Sequence, residues 1–91
     1  MQLPHKIRVG RRWYSVEIVE AMIDRCYGRI HYDRNLIRVH KRTKNGMADT
    51  FWHETVHAIL HDMDHPLYRN ERFVTAFADR LSKTIRSARF K

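Results

Sequence analysis

Hydrophobic and polar positions change their period part-way along this chain. From Lys6 to His40 they alternate. Ile7 and Val9 are interleaved with charged residues, and Trp13, Tyr14, Val16 and Ile18 follow as strand formers. Gly10-Arg11 separates these two runs, so Lys6 to Ile18 reads as a hairpin or bent strand pair after a loose Met1–His5 terminus. A second hairpin is expected from Tyr27 to His40. There Gly28-Arg29-Ile30-His31-Tyr32 and Leu36-Ile37-Arg38-Val39-His40 flank the turn-rich Asp33-Arg34-Asn35. Between the hairpins, Val19, Met22, Ile23 and Cys26 recur at three- and four-residue spacing, which suggests a short helix unless the strand runs on to Glu20.

Beyond the polar loop Arg42–Met47 the period becomes helical. Phe51, Trp52, Val56, Ile59, Leu60 and Met63 mark one apolar stripe, with Asp49 or Thr50 as the expected cap. That helix should stop near Met63 or Asp64, because Pro66 disfavours helical geometry at His65. A second helix is expected from about Asn70, a good N-cap, to Arg86, burying Phe73, Val74, Phe77, Ala78, Leu81 and Ile85. Arg80, Lys83 and Arg86 suit the negative end of its dipole. The expectation is an α+β fold, with a small antiparallel sheet of three to four strands packed on two C-terminal helices in a single domain, residues 1–91.

The first helix carries His53-Glu54-Thr55-Val56-His57. Side chains at i and i+4 share a helix face about 6 Å apart, so two imidazoles can converge on one tetrahedral ion. On the helical wheel both fall at the margin of the apolar arc, half buried, where a ligand belongs. Glu54 is turned about 100° from His53 and can take a proton from water at the open position of such an ion. A histidine-rich surface helix is the plainer alternative in a chain with seven histidines, but the apolar stripe around the motif argues against it.

Two imidazoles do not complete a catalytic zinc site; three protein ligands and a water do. Downstream, Glu71 is preferred as the third, since it stands in the first turn of the second helix at the edge of that helix's apolar arc. His65, on the connecting loop, is the runner-up. His61 lies two turns beyond His53 and is expected to support the ligands from behind or to face the substrate. His61, His65 and Tyr68 are all candidates to donate to a developing oxyanion. His31 and His40 are expected on the surface of the hairpin. The chemistry implied is hydrolysis, in which Zn2+ acidifies water and polarises a carbonyl while Glu54 carries the proton to the leaving amine.

Composition narrows the setting. With 91 residues, 43% hydrophobic and 31% charged, the core is modest, and a bound metal would reinforce it. The lone Cys26 excludes an internal disulfide and a thiolate zinc cluster. No apolar run is long enough for a membrane span and no signal-peptide core is visible, so a monomer in the cytoplasm without a membrane partner is expected. The net charge of +8, densest at Lys41-Arg42-Thr43-Lys44 and from Arg80 to Lys91, would attract nucleic acid or an acidic protein. No aromatic interleaving or recognition motif identifies the partner.

The segment His53-Glu54-Thr55-Val56-His57-Ala58-Ile59-Leu60-His61 resembles the active helix of ImmA/IrrE-type and SprT-like peptidases and of small phage-encoded metallopeptidase-like proteins. Tyr27–Asp33 with Leu36–Val39 resembles the strand pair before that helix, and Asn70–Val74 with Phe77-Ala78 the segment supplying the acidic ligand. The resemblance implies a minimal zincin-like metallopeptidase of gluzincin type with His53, His57 and Glu71 on Zn2+ and Glu54 as base. It also implies a protein or peptide substrate laid along an edge strand. Two other classes stay open. One is a non-catalytic zincin-like protein that binds nucleic acid or an acidic partner. The other is a structural zinc domain closed by His61 or His65.

Overall fold

A computed structural model of the chain describes residues 2–21 and 26–90. Four strands come first, β1 (Lys6–Val9), β2 (Arg12–Val19), β3 (Gly28–His31) and β4 (Leu36–His40); two helices follow, α1 (Lys44–Asp62) and α2 (Glu71–Ser87). The expected short helix falls partly on residues 22–25, outside the described residues; β2 itself runs to Val19. No helix among the described residues is long and apolar enough to cross a membrane.

The α+β class and the C-terminal helices match expectation, but the sheet is mixed rather than antiparallel. Its order is β1-β2-β4-β3. The two hairpins pair antiparallel within themselves, while β2 and β4 join them in parallel, Val16 beside Ile37 and Ile18 beside Val39. The reason is burial: Ile37 and Val39 are fully covered, and pairing β4 between β2 and β3 places the most buried strand inside the sheet. β1 and β3 become the edges.

Helix α1 begins five residues before the expected Asp49 cap. Thr43 is the N-cap, its Oγ1 accepting from the Gly46 amide at 3.1 Å. Gly46 reads as a turn residue in sequence, yet it sits in this first turn because Arg42 closes over it. A Cβ at Gly46 would stand 2.8 Å from the Arg42 guanidinium, which donates to the Gly46 carbonyl and to Thr50 Oγ1, each at 3.0 Å.

The stripe on α1 is broader than its apolar residues suggest. Phe51 and Ala58 join Val9, Tyr14, Ile37 and Val39 in one core, while Val56 and Leu60 pack with Val74 and Ala78 of α2 in another. Lying between the sheet and α2, α1 also buries Thr50, Glu54, Thr55 and His57. Its far edge is open, so Ile59 and Met63, expected inside, are 40% and 61% exposed. On α2, Val74, Ala78 and Ser82 are the buried residues and Phe77 is 49% exposed. Small side chains there let the two helices approach closely.

At the end of α1, Asp64 takes φ +53 and turns the chain out of the helix, as glycine or asparagine usually does. The loop then folds back through Tyr68, and Asn70 caps α2 by accepting from the Phe73 amide at 2.9 Å, as expected. This return places the first turn of α2 against the middle of α1.

Candidate metal centre

His53 and His57 project from one face of α1 with ring centroids 5.0 Å apart. The carboxylate of Glu71, from the first turn of α2, spans both. Its Oε1 lies 2.8 Å from His57 Nε2 and its Oε2 lies 3.1 Å from His53 Nε2. Ligand atoms of the three residues all lie within 4.8 Å of one another, a cluster that could hold a metal ion. The structure thus brings Glu71, and not His65 or His61, to the two imidazoles.

The donor set fits a cation by its hydrogen-bonding chemistry. His57 Nδ1 faces the Tyr68 carbonyl at 2.6 Å. A carbonyl only accepts, so Nδ1–H donates, and in the neutral ring the lone pair of Nε2 is turned toward Glu71. Two acceptors 2.8 Å apart need a proton or a cation between them. Burial chiefly pushes the His53 pKa below its usual value despite Glu71. The desolvated His53 ring therefore resists the proton at its own 3.1 Å contact with Glu71 Oε2, and a metal ion suits that gap better. Orientation of a ligating imidazole by a backbone carbonyl is a common supporting contact in metal sites.

Glu54 lies beside this cluster but deeper, 8% exposed. Burial above all, with Glu71 adding to it and His57 and Arg29 opposing, pushes its carboxyl pKa up to about 7. Close approach of β3 makes this burial. A Cβ on Gly28 would lie 2.4 Å from Thr50 Cγ2 and 3.2 Å from a Glu54 oxygen, so only glycine lets the strand press onto the helix there.

The cluster opens into a cleft of about 880 Å³, walled by the edge strand β3, the middle of α1, the connecting loop and the start of α2. His61 lines it without joining the ligands. Its ring stacks on Tyr32 with centroids 4.0 Å apart and meets Tyr68 edge-on at 5.3 Å. The Tyr68 hydroxyl accepts from Arg69 Nε at 2.7 Å, which leaves its own proton to give. His65 is outside the lining; its Nδ1 accepts from the Leu67 amide at 3.1 Å and shapes the loop. His31 and His40 remain on the sheet, His40 Nε2 donating to the Glu20 carbonyl at 2.9 Å.

Sequence reasoning did not pick out Tyr32, Gly28, Arg29 or Arg69. Tyr32 is the clearest of these, with burial first and the carboxylate of Glu54 among the further causes pushing its pKa up to about 12. It stays protonated, a standing donor in the cleft. Only the contact between the turn after β3 and helix α1 identifies it.

No protein-family model, no curated protein and no solved structure matches this chain.

Proposed function

We propose that this chain is a zinc-dependent peptidase of the zincin type, holding Zn2+ through His53, His57 and Glu71 and hydrolysing peptide bonds with Glu54 as general base. The observation that carries the reading is the convergence of two Nε2 atoms and a carboxylate from a second helix beside a buried carboxyl group. Two nitrogens and one oxygen are a donor set zinc accepts while keeping a position open. When bound, the ion would supply an acidified water and a Lewis acid for the scissile carbonyl.

The remaining work falls to the chain. Glu54 takes the proton of the attacking water and delivers it to the leaving amine. Its burial keeps bulk water from competing for that proton. The hydroxyls of Tyr68 and Tyr32, both in the cleft wall, are donors available to the oxygen that gains charge. β3, as an edge strand, offers backbone groups to an extended substrate. An open coordination position is supported further by the placement of His61 in an aromatic stack and His65 in a loop hydrogen bond. Neither belongs to the ligand cluster found among the described residues.

Zinc content and cleavage of a peptide library, measured on the same protein, test the reading. One zinc per chain and hydrolysis lost in Glu54→Gln with the metal retained are expected. Hydrolysis undiminished in Glu54→Gln would refute the assignment.

A further inference from the structure

We propose that the cleft selects acidic peptides, with carboxylate side chains near the scissile bond met by Arg69 from the connecting loop and by Arg29 and Arg42 from the sheet side. This rests on the peptidase reading and names its substrate class. All three arginines are exposed and line the cleft. Three carboxylates line it too, but each is already committed. Glu71 spans the two imidazoles, and Asp49 Oδ1 receives Arg86 Nη1 and the Ser82 hydroxyl, each at 2.8 Å. Glu54 is buried. Guanidinium groups therefore outnumber the carboxylates left to face an incoming chain, and a divalent cation held by the ligand cluster would offset the charge of Glu71.

Arg42 and Arg69 are also held in place. Arg42 is anchored on Gly46 and Thr50 and lies 3.9 Å above the Tyr27 ring. Arg69 spends its Nε on Tyr68, and its terminal amino groups are the pair that grips a carboxylate end-on. The fields of Arg29 and Arg69 reach Glu54 and Tyr32 respectively, so both charges act on the interior of the cleft. The net charge of +8 extends the attraction to longer range.

Binding of fluorescent peptides to the zinc-loaded full chain carrying Glu54→Gln tests this, with glutamates flanking a central apolar pair or glutamines in their place. Glutamate peptides should bind about tenfold more tightly at low ionic strength, the gap narrowing as salt screens it. Arg69→Gln should reduce that ratio about fivefold, whereas Arg80→Gln, the same charge change on α2 outside the cleft lining, should leave it intact. Equal affinity for the two peptides overturns the proposal, as does an equal loss in Arg80→Gln. Displacement of the glutamate peptide by a tighter-binding single-stranded oligonucleotide also overturns it, in favour of nucleic acid. Cleavage by the unsubstituted protein is read separately. Selective binding with no hydrolysis of any peptide refutes the peptidase reading, and hydrolysis with equal affinities refutes only the acidic preference.

Discussion

Replacing Gly28 with alanine tests how tightly β3 is pressed onto the Thr50–Glu54 face of α1. The residue has no left-handed backbone requirement, so the penalty is steric. The new Cβ would meet Thr50 Cγ2 at 2.4 Å and the Arg38 carbonyl oxygen at 3.3 Å, and neither can easily withdraw. Thr50 is buried with its hydroxyl bonded to the Gly46 carbonyl at 3.0 Å, and Arg38 belongs to the central strand β4. Overpacking of this kind costs about 1–3 kcal/mol, a fall in Tm of about 4–8 °C per kcal/mol for a domain this size. Thr50→Ser removes the opposing methyl group, keeps the hydroxyl, and should alone cost about 1 kcal/mol. Combined, the two substitutions should be less damaging than their sum, with a coupling on the order of 1 kcal/mol in a denaturant-unfolding cycle. A Gly28→Ala protein within about 0.5 kcal/mol of the parent, or penalties that simply add, would refute the contact as the cause. Hydrolysis should recover less than stability in the double variant, because the Cβ would still crowd Glu54 at 3.2 Å.

Zinc should stabilise the fold by about 2.7 kcal/mol at a hundredfold excess over its Kd, seen as a Tm rise on the order of 10 °C that a chelator reverses. Glu71→Ala and His57→Ala should shrink that rise, and a full rise in Glu71→Ala would move the third ligand elsewhere. Burial pushes the Asp49 carboxyl up, but the hydrogen bonds from Arg86 and Ser82 and the charges of Arg86 and Lys83 outweigh it and hold the pKa below its usual value. Its contribution is therefore complete above the ordinary carboxylate range and disappears as pH falls through the lowered value. Asp49→Asn should cost about 1 kcal/mol at neutral pH, since the pair is only partly buried, and should flatten the acid limb of a stability–pH profile; an unchanged limb would count against this reading.

Local features were readable wherever a short stretch of chain defines them. Helical spacing alone brings His53 and His57 together, and Asn70 caps α2 through a bond to a residue three positions on. The start of α1 is not legible in the sequence because Gly46 is a turn residue by propensity, whereas here its missing side chain makes room for Arg42. The exposed Ile59, Met63 and Phe77 show the limit of reading an apolar stripe as a core. Such a stripe tells which residues share a face, but whether another element covers that face depends on packing.

What the sequence determined by itself was a pair of imidazoles and a carboxylate one helical turn wide, because the α-helix is a local, repeating structure. Tertiary structure decided the rest: the parallel union of β2 with β4, the delivery of Glu71 across the cluster, and the burial of Glu54 beneath β3. Those depend on contacts between residues far apart along the chain. Their free energy comes from excluding water between whole elements, and no short stretch of sequence carries it alone.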